Sequence, residues 1–166
     1  AKVVVVISNN TNAGVLEKAE SFDIPNFIIN DKRYPGQNID DKCARLLKDF
    51  DCDYIFLSGY MKKIESSLLS TFPNKIINTH PALLPSIYGG IGMYGRFVHE
   101  AIINNGEKKS GVTIHYVNEV YDDGEIILTK ELEITLNETV DSLENRIKEL
   151  EKEAIIEAFE KLLAKS

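Results

Sequence analysis

Lys2-Val3-Val4-Val5-Val6-Ile7-Ser8, then Asn9-Asn10-Thr11-Asn12, then residues 14–22, is the stretch that decides the fold class. The β-branched run carries no polar alternation, which is the pattern of a strand covered on both faces, as in parallel sheets. The asparagine-rich tetrad supplies turn chemistry and a helix cap, and residues 14–22 read as a short helix. The same alternation recurs outward. Residues 25–29 read as a strand, 31–38 as a loop with Pro35 and Gly36, and 40–50 as a helix with Cys43, Leu46, Leu47 and Phe50 at core spacing. Residues 54–57 form a third strand, 63–71 a helix and 75–78 a fourth strand. After a long irregular stretch rich in proline and glycine, residues 96–104 return to helix. Strands follow at 111–117, where alternation predicts one covered face, and at 125–134, and an amphipathic helix spans 139–165. Strands alternating with helices predict right-handed βαβ units and an α/β fold. Its sheet is mostly parallel with an antiparallel edge from the last two strands, in a single domain over 1–166.

The chain has 166 residues, 43% hydrophobic and 27% charged, which excludes disorder and fibrous repeats. Its longest apolar run, Val3 to Ile7, is far short of the roughly 20 residues a membrane-spanning helix needs. The formal charge of −7 and the lack of a basic stripe argue against nucleic acid as a partner, though not against a small phosphorylated substrate. Cys43 and Cys52 match no metal or redox spacing and read as free thiols in a reducing, cytoplasmic setting. No signal peptide is expected ahead of the first strand.

Three constellations bear on chemistry. Gly90-Ile91-Gly92-Met93-Tyr94-Gly95 matches a dinucleotide fingerprint letter for letter, but a proline-rich loop precedes it where a strand is required, so it reads as a surface loop. In Asn78-Thr79-His80-Pro81, alternation puts Asn78 and His80 on one face at the carboxyl end of a strand, where open α/β folds bind ligands. The alternative is a capped strand end with a hydrogen-bonded histidine. Asp122 lies in the turn after the strand of His115, and a carboxylate near an imidazole favours its cationic form. Amide, imidazolium and carboxylate together suit a reaction that builds an oxyanion on carbon and moves a proton away. His115 and His99 read as structural, Met61-Lys62-Lys63 as a helix start, and Glu151 as one helix glutamate among many.

Ile76-Ile77-Asn78-Thr79-His80-Pro81-Ala82-Leu83-Leu84-Pro85 closely resembles the signature N-I-H-P-S-L-L-P of the folate-dependent formyltransferases. Residues 111–117 with Tyr121-Asp122-Asp123-Gly124 resemble that family's second signature, and the run from Gly90 to Glu107 is most similar to its purine-pathway branch. The resemblance implies a Rossmann-like three-layer fold and transfer of a formyl group from 10-formyltetrahydrofolate, with no metal, to the amine of glycinamide ribonucleotide. It implies catalytic roles for Asn78, His80 and Asp122. A folate site would be formed by Met61, Lys62, Lys63 and Ile64 with Asn118, Glu119, Val120 and Tyr121, and substrate contacts by Pro81 and Glu151. Its implied partners are small molecules, with neither nucleic acid nor membrane.

Thr79 and Ala82 replace the signature isoleucine and serine, and Thr79 is expected to point away from the site. The family's first strand and glycine-rich phosphate loop have no counterpart, because residues 3–22 align with its second strand and helix. Two other readings therefore stay open: a formyltransferase for another amine, such as a sugar nucleotide, and a folate-binding relative without turnover. An uncovered apolar sheet edge further predicts self-association into a homo-oligomer.

Overall fold

The computed structural model describes residues 1–164, and the last residue of the helix expected over 139–165 lies outside them. The element order is β1 (Val6–Ser8), α1 (Gly14–Ser21), β2 (Asn26–Ile28), α2 (Ile39–Asp49), β3 (Ile55–Leu57), α3 (Ser66–Thr71), β4 (Ile76–His80), α4 (Arg96–Asn104), β5 (Lys109–Tyr116), β6 (Ile126–Glu133) and α5 (Val140–Leu163). The architecture is α/β with strands of mixed direction. Two compact units make it up, one of residues 1–55 with 64–73, the other of residues 56–63 with the chain from Asn74 onward.

In the first unit, β1 and β2 pair in parallel, with Val6 opposite Asn26 and Ser8 opposite Ile28. The valine run is not the doubly covered strand its composition predicts. Only Val6–Ser8 has a partner strand among the described residues; Val3 is exposed and Val4, Val5 and Val6 are half-buried. A run flanked on one side only keeps part of its apolar surface in water, however strong its β propensity. Asn38 caps α2 by accepting from the Asp41 N–H at 2.9 Å. Phe27 meets Phe50 edge to face, at 5.8 Å between ring centroids. Asp40 is buried and accepts from the Glu65 N–H, and burial pushes its carboxyl above the usual range.

The second unit is built on a four-stranded sheet in the order β3-β4-β5-β6. Strand β5 runs antiparallel to both β4 and β6, which supplies the expected antiparallel edge. The ladder carries β4 to His80, two residues beyond the strand end read from sequence, with His80 opposite Thr113 and Asn78 opposite His115. Strand β5 is buried on both faces from Ser110 to His115, not half covered. The reason is local: the Thr113 hydroxyl donates to the Ala82 carbonyl at 2.7 Å and accepts from the Leu84 N–H at 3.0 Å, so the segment after β4 folds back over that face.

Helix α5 lays Leu143, Ile147, Ala154, Ala158 and Leu162 into the core, and Phe159 packs edge to face on Phe56. Its start is fixed by a cluster around Glu138, which accepts from the Thr135 N–H and hydroxyl, the Ser142 hydroxyl and the Arg146 guanidinium. Burial alone would raise the Glu138 carboxyl. The Ser142 and Thr135 donors and the Arg146 charge instead hold it down at about 2.

Candidate active site

The ladder between β4 and β5 sets the site. Residues directly opposite on an antiparallel pair share a face, so Asn78, His80, His115 and Thr113 all project to one side, and Thr79 and Ile114 to the other. Asn78 Nδ2 lies 3.2 Å from His115 Nε2. The β6 register shifts between Ile114 and His115, a bulge next to the site. The following turn then returns Asp122 to the same face. Asp122 has a φ of 55°, a left-handed conformation that Asp tolerates better than most residues. Gly124 makes this turn fit: a Cβ there would stand 1.6 Å from the Tyr116 carbonyl oxygen.

Asp122 Oδ2 sits 3.4 Å from His80 Nδ1, with the two side chains 10% and 4% exposed. Its Oδ1 lies 3.5 Å from His115 Nε2 and accepts from Asn78 Nδ2 at 3.4 Å. The Gly90 N–H donates to Oδ2 at 2.8 Å. Burial alone would raise the Asp122 carboxyl. The His115 hydrogen bond, the charge of His80 and the Gly90 donor outweigh it and hold the group below the usual carboxylate range.

His80 Nε2 lies 2.6 Å from the Tyr88 carbonyl oxygen. A carbonyl only accepts, so Nε2 carries the hydrogen and Nδ1 is the nitrogen that gains or loses a proton, facing Asp122. Two influences oppose each other on this imidazole. Burial lowers the pKa of His80 and outweighs the raising effects of Asp122 and the Tyr88 carbonyl. His115 Nδ1 donates to the Tyr116 carbonyl at 2.8 Å, which points its Nε2 at Asn78 and Asp122. The Asn78 contacts are long for hydrogen bonds, so little is lost when the amide turns toward another acceptor.

Three contributors escaped the sequence reading. His115, read as structural, contacts both Asn78 and Asp122. Gly90, the first glycine of the apparent dinucleotide fingerprint, supplies the backbone donor to Asp122. Tyr88 holds His80, and its own ring is anchored by donation to Glu107 at 2.6 Å and by a 3.0 Å hydrogen bond from Asn105. The signal that existed for Gly90 was the crowding of glycines. Gly89 permits the approach, since a Cβ there would meet Leu84 Cδ2 at 2.6 Å and Asp122 Cβ at 3.3 Å.

The remaining expected residues are spread more widely. Pro81 is half-buried directly after β4. Met61, Lys62 and Lys63 are exposed, whereas Ile64 is buried in the first unit. Asn118, Glu119, Val120 and Tyr121 form an exposed turn in which the Val120 N–H donates to Asn118 Oδ1 at 2.9 Å. Glu151 does not join the trio: its Oε1 accepts from the Thr79 hydroxyl at 2.8 Å, on the opposite face of β4. A cavity of about 540 Å³ in the first unit, lined by Phe27, Tyr34, Lys42 and Arg45 among others, includes none of the expected site residues. Its lysine and arginine are offset by Asp41 and Asp49, and the buried titratable groups lie elsewhere.

Residues 1–159 match the family model described as formyl transferase. A chloroplastic phosphoribosylglycinamide formyltransferase of Arabidopsis thaliana is 37% identical over 147 residues, 87% of this chain and 50% of that protein. The phosphoribosylglycinamide formyltransferase of Bacillus subtilis is 36% identical over 152 residues, 91% of this chain and 75% of that protein. A crystal structure of the Bacillus halodurans phosphoribosylglycinamide formyltransferase superposes with a TM-score of 0.88 at 31% identity, covering 99% of this chain and 82% of that one. The chain spans about half the length of the plant relatives it matches.

Proposed function

Since the chain belongs to the formyl transferase family, we propose that it moves a formyl group from 10-formyltetrahydrofolate to the amine of glycinamide ribonucleotide, as one formyltransferase-like domain. The observation that carries this reading is the convergence of Asn78, His80 and Asp122 on one face at the carboxyl end of β4.

The nucleophile belongs to the substrate, so the protein needs no activated serine or cysteine; it orients the groups and stabilises charge. Attack of the amine forms a nitrogen–carbon bond and places the carbonyl electron pair on oxygen. Asn78 Nδ2 turns from its long contacts to donate to that oxygen. The proton shed by the amine passes onto the His80–Asp122 pair, giving an imidazolium beside the new negative charge with the carboxylate 3.4 Å behind it. An imidazolium whose pKa burial has lowered is a strong acid for its type, so it readily releases the proton to the departing nitrogen of the donor. When the carbonyl re-forms and that nitrogen leaves, the site regains its starting protonation.

The formyl donor is a substrate consumed at each turnover. A flat pterin needs an apolar surface with backbone polar groups around it. Met61 and Val120, 63% and 60% exposed, supply such surfaces, and residues 118–121 supply an ordered turn. This donor set fits the group. Formyl transfer to glycinamide ribonucleotide, measured against His80→Ala as the blank, tests the proposal. Transfer well above the blank supports it, and transfer equal to the blank refutes it.

A further inference from the structure

The pair that handles the proton is bracketed by a short piece of backbone. The Tyr88 carbonyl oxygen lies 2.6 Å from His80 Nε2, and two residues on the Gly90 N–H donates to Asp122 Oδ2 at 2.8 Å. A neutral imidazole carries one ring hydrogen, and two acceptors compete for it here. Asp122 Oδ2, 3.4 Å from Nδ1, draws the hydrogen to that nitrogen, and the Tyr88 carbonyl draws it to Nε2. The carboxylate is the stronger acceptor, so the carbonyl prevails only while it is held close.

The hold comes from the end of α4. Gly106 takes a φ of 65°, its N–H donates to the Ile103 carbonyl at 3.0 Å, and the Glu107 N–H donates to the Ile102 carbonyl at 3.3 Å. These are the two bonds of a Schellman motif, which fixes the backbone on either side of the glycine. The motif sets Asn105 and Glu107 around one phenol. The Tyr88 hydroxyl donates to Glu107 Oε1 at 2.6 Å and accepts from Asn105 Nδ2 at 3.0 Å. Tyr88 is buried, so its ring has little room to swing.

We propose that Glu107 is a positioning residue for formyl transfer: through the Tyr88 phenol it keeps the Tyr88 carbonyl on His80 Nε2, which leaves Nδ1 bare to accept the amine's proton. Without that grip the ring hydrogen moves to Nδ1, and the proton finds no vacant nitrogen beside the carboxylate. This rests on the formyl-transfer reading.

Glu107 is exposed, so Glu107→Ala removes the carboxylate without opening the core, whereas Glu107→Gln retains an acceptor for the phenol. Steady-state kinetics with glycinamide ribonucleotide on the full chain should show kcat about tenfold lower in Glu107→Ala and in Tyr88→Phe, with both KM values within about twofold. Glu107→Gln should keep kcat within about threefold of the parent, and adding Glu107→Ala to Tyr88→Phe should cost nothing further. Nitrogen NMR of the labelled His80 ring, at a pH where it is neutral, should show the Nε2–H tautomer in the parent and in Glu107→Gln. Glu107→Ala and Tyr88→Phe should show a mixture with the Nδ1–H form. A Glu107→Ala chain with parent-like kcat, or one whose kcat falls while the parent tautomer persists, overturns the inference and leaves formyl transfer standing. A parent chain that does not formylate glycinamide ribonucleotide overturns the functional reading, and this inference with it.

Discussion

Replacing Asp122 by Asn removes one charge and leaves almost everything else in place. Asn tolerates the left-handed backbone at φ 55°, and its amide oxygen can still accept the Gly90 N–H, now 2.8 Å from the carboxylate. What disappears is the counter-ion 3.4 Å from His80 Nδ1. Coulomb's law at that distance with an effective dielectric of about 20 gives roughly 5 kcal/mol. Part of this is returned because the buried carboxylate no longer has to be desolvated, leaving about 3–4 kcal/mol on the step that forms the imidazolium. The expected result is a fall in kcat of about 10² to 10³, with both KM values within a few-fold. In the same protein, the imidazole of His80 followed by NMR should titrate at lower pH than in the parent, where burial already depresses it. A variant that keeps kcat within tenfold, or a His80 titration that does not move, would refute the charge argument.

Gly124→Ala should be among the most damaging single changes: its Cβ would lie 1.6 Å from the Tyr116 oxygen, so the turn carrying Asp122 must shift. Urea unfolding should show a loss of about 2–4 kcal/mol, together with loss of transfer; a parent-like curve would contradict the packing. Leu143→Ala empties a fully buried position on α5 and should cost about 3 kcal/mol by the same measurement, with less than 1 kcal/mol counting against the core assignment. Acid should destabilise the fold in two windows. Burial lowers both His80 and His99 below their ordinary 6.5, so the unfolded chain binds protons that the fold excludes, and stability declines as pH falls below 6.5. Glu138 works from the other side: its stabilisation is complete above 4.5 and is lost as pH falls from there toward about 2. Melting temperatures that stay flat from pH 7.5 to 5 would contradict the first window.

What could be read from sequence is what depends on neighbours in the chain. Asn78 and His80 share a face because a strand repeats every two residues, and Asp122 follows the strand of His115 by a short turn, so the trio could be assembled from spacing and resemblance. The supports could not. Whether Tyr88 turns its carbonyl to His80 depends on contacts to Glu107 and Asn105 across the second unit, and the approach of Gly90 to Asp122 spans 32 residues of chain. Neither has a local period. The electrostatics of His80 were hidden for a related reason: sequence shows the carboxylate partner but not the depth of burial, which pulls the other way. The valine run near the start shows the limit of propensity, since composition signals a strand but only a hydrogen-bonded neighbour determines how much of it forms.

The most direct trial is a crystal structure of the protein with glycinamide ribonucleotide and a non-transferable 10-formyl folate analogue. The account predicts the formyl oxygen within hydrogen-bonding distance of Asn78 Nδ2, with the His80 ring and the Asp122 carboxylate on the same side of the formyl carbon. A formyl group bound elsewhere, or one seated on the opposite face of β4 beside Thr79, would contradict it.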